Sequence, residues 1–193
     1  MDQDEDALLA RLADNVDTAF EQLMARYWPQ LWAFVLRRTG SAEDAEDILA
    51  EAGVRVYLAL KGYPAERVRT LKLRAWLYKI TFHEYCRAIG RLLPSSVSFE
   101  QMQAETILEY EQDQEQQPDR LYESAEQRQA LERLVAGLPD RYREVVSLYY
   151  FEELKYQEIA DLLNQPLGTI KSALHRGIGL LREEARKQSN GVS

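Results

Sequence analysis

Between Glu100 and Asp119 the chain carries seven acids, six glutamines and neither a lysine nor an arginine. The few apolar residues there follow no period. Such a segment cannot bury enough surface to offset the entropy lost on ordering. Pro94 and the Ser95–Ser96 pair stand before it, and Pro118 lies at its far end. The 193 residues are thereby divided. Residues 92–121 are expected to form an acidic, flexible linker between a domain over 1–91 and a second over 122–193. Fully extended, that linker would reach roughly 100 Å at about 3.3–3.6 Å per residue. As a coil it would average nearer ~30 Å.

Both flanks read as helical, and strand signals are nearly absent, so the expected fold class is all-α: two small helical domains, the second with a helix-turn-helix. In the first, Phe20, Leu23, Met24 and Tyr27 form a stripe. Pro29 is expected to restart a helix at its first turn, where its missing N–H is harmless. Leu31, Phe34 and Val35 continue towards Gly40, a C-terminal stop. Ser41 is a good N-cap, with Glu43 and Asp44 at the positive end of the next dipole. Ala45, Ile48, Leu49, Ala52, Val56 and Leu60 then share a face, and Gly62 and Pro64 end it. A further helix is expected over about 71–91, with Leu73, Trp76, Leu77 and Ile80 inward. In the second domain, Leu131, Leu134 and Val135 end a helix before Gly137, and Pro139 starts one carrying Tyr142, Val145, Val146 and Tyr149. A short helix holds Ile159, Ala160, Leu162 and Leu163, a tight turn spans 164–167, and a last helix places Ile170, Leu174, Ile178 and Leu181 on one side.

Composition narrows the function. One cysteine excludes an internal disulfide framework. Neither His83 nor His175 stands at a zinc-ligand spacing from Cys86. The longest purely apolar run, Leu31–Leu36, is too short to cross a membrane, and the acidic N-terminus is unlike a secretory signal. A soluble cytoplasmic chain is expected. No phosphate-binding glycine loop, metal cluster or Ser/His/Asp arrangement is apparent, so neither cofactor nor enzymatic activity is expected. The net charge of −8 argues against nucleic acid, but the distribution of charge argues otherwise.

Three features carry that distribution. First, a short helix with a small residue at Ala160, a turn with Asn164 at its left-handed position, and a helix with polar first-turn residues form a helix-turn-helix layout. Thr169, Lys171, Ser172, His175 and Arg176 fall on or near the exposed face, where they suit phosphates and base edges. A generic helical hairpin with a basic solvated face is the alternative. Second, Arg67–Arg91 holds seven basic residues (67, 69, 72, 74, 79, 87, 91) against one acid, Glu84. Trp76, Tyr78, Phe82 and Tyr85 are interleaved. Phosphate-following cations with stacking faces suit a single strand; a solvated helix over a partly aromatic core is the alternative. Third, Asp47, Glu51 and Arg55 recur every four residues opposite the apolar stripe. They form either a partner-docking face or an ordinary set of i,i+4 pairs.

In this order the motifs resemble a known family. Asp44-Ala-Glu-Asp-Ile-Leu-Ala-Glu51 with Arg55 is similar to the polymerase-binding helix of bacterial sigma factors. Arg74-Ala-Trp-Leu-Tyr-Lys-Ile80 resembles the promoter-melting helix of their extracytoplasmic-function (ECF) group. Leu138–Val146, Tyr156–Ala160, Pro166–Ser172 and Leu174-His-Arg176 resemble that group's domain 4. The likeness spans nearly all of 15–187.

The resemblance implies a transcription initiation factor that binds core RNA polymerase, directs it to promoters and promotes melting. Asp44, Asp47, Glu51 and Arg55 would contact the polymerase. The 61–70 loop would capture a flipped base of the −10 element. Arg67, Arg69, Lys72, Arg74, Trp76, Tyr78, Lys79, Phe82, His83 and Arg87 would hold the −10 strand, with Tyr78, Phe82 or Tyr85 as stacking faces. Thr169, Lys171, Ser172, His175 and Arg176 would read the −35 duplex. An anti-sigma factor is a further implied partner, and membrane insertion is not implied. The chain departs from the family pattern at Ala50 and Gly53 (usually Gln and Phe), at His83 and Arg87 (usually Asn and Asp), and at Ala173 and Ile178 (commonly Arg). A dimeric helix-turn-helix regulator acting without polymerase would account for 139–187 but leave the other two features idle. A module that only sequesters an anti-sigma protein is a third possibility.

Overall fold

The computed structural model describes residues 3–92 and 125–190. Most of the acidic segment expected over 92–121, and the expected start of the second domain near Tyr122, lie outside the described residues. Every described element is helical, and the helices group into two compact units, one built from the first five and one from the last four.

The first unit comprises α1 (Gln3–Asp14), α2 (Val16–Thr39), α3 (Ala42–Gly62), α4 (Ala65–Arg69) and α5 (Leu73–Leu92). Helix α1 was not anticipated. It buries Leu8, Leu9 and Leu12 and gives way to α2 at Asn15, whose Oδ1 accepts the Asp17 N–H at 2.9 Å. Helix α2 does not restart at Pro29 but runs through it. Proline can leave only one backbone bond unmade here, to the carbonyl of Ala25. Leu23 and Tyr27 before it and Leu31, Phe34 and Val35 after it are all buried, so packing on both sides holds one helix. Gly40 closes α2 at φ 68°, a left-handed geometry that favours glycine. Ser41 caps α3 by accepting the Asp44 N–H.

Helix α3 buries the six residues its pattern assigns, Ala45, Ile48, Leu49, Ala52, Val56 and Leu60. Helix α5 differs. Leu73 and Leu77 are inward as expected, but the buried arc extends to Tyr78, Thr81 and Phe82, while Trp76 and Ile80 are only partly covered. The cause is packing against α2: Tyr78 meets Phe34 edge to face at 5.0 Å between centroids, a favoured aromatic geometry. The buried Thr81 hydroxyl donates to the Leu77 carbonyl at 2.9 Å, which removes the penalty for its inward position.

The second unit comprises α6 (Ala125–Ala136), α7 (Asp140–Tyr150), α8 (Tyr156–Leu163) and α9 (Leu167–Asn190). Pro139 stands immediately before α7, as its fixed φ suits. Val145, Val146, Leu148, Leu154, Ile159, Ile170 and Leu174 form the centre of this core. Helix α9 crosses α7 at Gly177: a Cβ there would lie 2.6 Å from Val146 Cγ2 and 3.4 Å from Tyr142 Cβ. Glycine, rather than the expected Ile178, is thus the contact at this turn, and Ile178 stays partly exposed.

Candidate nucleic-acid and polymerase interfaces

The helix-turn-helix rests on Asn164. Its φ of 52° and ψ of 47° end α8 in the left-handed region, where its N–H reaches the Ala160 carbonyl, and Gln165 donates to the same oxygen at 3.0 Å. Asparagine tolerates this conformation better than other non-glycine residues. Glu158 holds the start of α8, accepting the Lys155 N–H at 2.9 Å. With Ile170 and Leu174 buried, the opposite side of α9 presents His175 and Arg176 fully outward and Thr169, Lys171 and Ser172 partly so. The structure therefore brings all five expected residues onto the side of one helix opposite its buried stripe. The Ser172 hydroxyl donates to the Gly168 carbonyl, so its oxygen is left mainly as an acceptor.

On α3, Asp44, Asp47 and Glu51 are exposed and lie away from the buried stripe. The helix continues this outer arc with two residues that the sequence reading passed over. Val54 is 57% exposed and Leu58 62%, at spacings that place them in line with Asp47 and Glu51. Their signal was an apolar i,i+4 pair out of phase with the core. Arg55 does not extend this exposed arc freely. Its guanidinium pairs with Glu84 of α5, a carboxylate only 4% exposed.

The basic segment differs most from expectation. The 61–70 stretch is not a simple loop, because 65–69 form α4. Tyr78 and Phe82 are core residues, at 0% and 7% exposure, and they are not stacking faces for a strand; the wider buried arc of α5 turns both inward. The partly exposed aromatics are Trp76, Tyr85 and Tyr63. Tyr63 was missed. Its ring lies 6.0 Å from that of Trp76, and the Arg67 guanidinium covers it at 3.7 Å. Guanidinium, phenol and indole thus gather where α3, α4 and α5 meet. Lys72, Lys79 and His83 are exposed, and Arg74 is half-buried, 5.8 Å from the Tyr78 ring. Arg69 pairs with Asp14 at 2.9 Å, and Arg87 with Glu84 at 3.5 Å.

Beside this region Asp17 accepts from the Tyr57 hydroxyl at 2.6 Å and from Lys61 Nζ at 2.9 Å. The Tyr57 bond, then the Lys61 bond, lowers the Asp17 pKa from its ordinary value. The bond to Asp17 raises those of Tyr57 and Lys61. Among the described residues no helix is long and apolar enough to cross a membrane.

Two family models match within these units: sigma-70 region 2 over residues 23–93 and sigma-70 region 4 over 128–181. The ECF RNA polymerase sigma-E factor of Escherichia coli K12 is 31% identical over 173 residues, covering 88% of this chain and 87% of the relative. This chain belongs to the ECF group of sigma-70 factors. The ECF sigma factor SigW of Bacillus subtilis is 30% identical over 180 residues, covering 87% of this chain and 89% of its own. Two solved structures share the fold. CnrH, in complex with the cytosolic domain of CnrY, matches with a TM-score of 0.58 at 19% identity, over 94% of this chain and 97% of its own. Sigma factor RpoE of Bartonella quintana, in complex with the anti-sigma factor NepR, matches with a TM-score of 0.56 at 21% identity, over 86% and 96%.

Proposed function

We propose that this ECF factor binds core RNA polymerase, directs it to promoters and helps open them, with each step assigned to one face. The exposed arc of α3, with Asp44, Asp47 and Glu51 followed by Val54 and Leu58, docks on the polymerase. Arg67, Tyr63 and Trp76, with Lys72 just before α5 and Arg74, Lys79, His83 and Arg87 along it, hold the separated −10 strand. Thr169, Lys171, Ser172, His175 and Arg176 on α9 read the −35 duplex. The chain acts as a binding factor in the cytoplasm, where the polymerase works, and an anti-sigma factor belongs among its partners. Domain limits of 1–91 and 122–193, joined by the acidic stretch, are part of the same reading.

The observation that carries it is the presence of both sigma regions, in order, on one chain. A dimeric regulator of duplex DNA would need only the second. The α3 assignment is tested by titrating labelled chain with core polymerase. Charge reversal in D47K/E51K should weaken binding at least tenfold, about 1.4 kcal/mol, with unchanged helicity because both side chains point to solvent. Unchanged affinity would remove this arc from the interface.

A further inference from the structure

Glu84 is the single acid among the seven cations of the Arg67–Arg91 segment. A strand-binding segment gains nothing from an acid on its surface, and this one is turned inward, 4% exposed. It is nevertheless not isolated. Arg55 of α3, twenty-nine positions earlier, pairs through Nε with one carboxylate oxygen. Arg87, one turn further along α5, lies with Nη1 3.5 Å from the other. Both arginine side chains remain nearly half-exposed, at 44% and 49%. One buried carboxylate therefore holds two arginines that reach the surface from two different helices. Arg55 emerges from the helix assigned to the polymerase, Arg87 from the helix assigned to the strand.

We propose that Glu84 is a positioning residue that couples polymerase docking to −10 strand binding. A buried carboxylate must keep its partners, so its two oxygens tie Arg55 and Arg87 to one point. Docking that fixes α3 and Arg55 fixes Glu84 with them. Arg87 is then held at one place on α5 rather than sampling many rotamers, and the strand meets an ordered cation. The effect is reciprocal, because coupling between two binding equilibria is the same viewed from either site.

The inference rests on the proposed roles of α3 and α5, and its test separates the two. A −10 sequence is first selected from a random pool with wild-type holoenzyme. The affinity of its single strand is then measured for the free full-length chain and for holoenzyme, and their ratio is the coupling. For the wild type the ratio is expected within about 5–150-fold. E84Q, which keeps the shape and removes the charge, should cut that ratio at least threefold while helicity and core binding remain near wild type. E84D should restore part of it, which a simple packing defect would not. If E84Q loses helicity, E84D is read in its place: it keeps the charge but draws it back by one methylene, and the ratio should still fall below that of the wild type. An unchanged ratio in a folded variant, or equal losses for free chain and holoenzyme, overturns the coupling. Failure of the wild-type chain to bind core polymerase would instead overturn the functional reading beneath it.

Discussion

Gly177 and Gly179 stand two residues apart in the same helix and demand opposite outcomes. A Cβ at Gly177 would drive into Val146 and Tyr142, whereas one at Gly179 meets nothing within 4 Å. Gly177→Ala should destabilise the second unit by about 1–3 kcal/mol, as overpacking does. Gly179→Ala should stabilise it by up to about 1 kcal/mol through helix propensity. Urea unfolding of the two variants checks the pair, and equal effects would mean that α7 and α9 do not approach at Gly177. The Asp17 cluster gives a second test at this scale. The folded Asp17 pKa is below its ordinary 3.8, so its contribution is present above 3.8 and lost as pH falls through the folded value. Those of Tyr57 and Lys61 are above 10.0 and 10.5, so their contribution is present below those values and lost as pH rises through the folded ones. Asp17→Asn should lower Tm modestly at neutral pH, and the difference should vanish in strong acid. A Tm deficit that persists there would assign the loss to shape rather than charge.

Helix α5 is the element on which the proposed melting role depends, and its rotation changes which side chains can test it. Truncating the core residue Phe82 to alanine should cost about 3–5 kcal/mol of stability, and Tyr78→Ala should likewise unfold the first unit rather than report on DNA. Tyr63→Ala and Tyr85→Ala, on partly exposed rings, are the better probes. Stacking contributes about 1–3 kcal/mol per base. Each should therefore reduce transcription from duplex promoter by about fivefold or more, with recovery on a template carrying a mismatched −10 bubble. No recovery on the bubble would make these rings packing residues only.

The helices themselves were legible from spacing. The α3 stripe, the Gly40 stop, the Ser41 cap and the Asn164 turn all follow from local chemistry. What was not legible depended on partners distant in sequence. The arc of α5 is set by Phe34 on α2, the continuity of α2 through Pro29 by burial on both sides, and the restraint on Arg55 by a carboxylate on another helix. Helix α1 did carry a signal, the Leu8, Leu9 and Leu12 spacing with Asn15 after it, which the reading from Phe20 onward passed over.

At the scale of the whole molecule, a chain of net charge −8 presents basic faces on two units, each too small to hold DNA firmly alone. Counterion release grows with the number of phosphates neutralised, and α9 offers few cations. Polymerase that holds both units would raise their effective concentration on one promoter, so DNA recognition should belong to the assembly rather than to the free chain. The most direct measurement is transcription from a pool of randomised promoters by core RNA polymerase, with and without this chain, alongside retention of the same pool by the chain alone at physiological salt. The account predicts transcripts sharing a −35 and a −10 motif only when polymerase and chain are combined, with little retention by the chain alone. Transcription no different from core alone, or strong sequence-specific retention without polymerase, would contradict it.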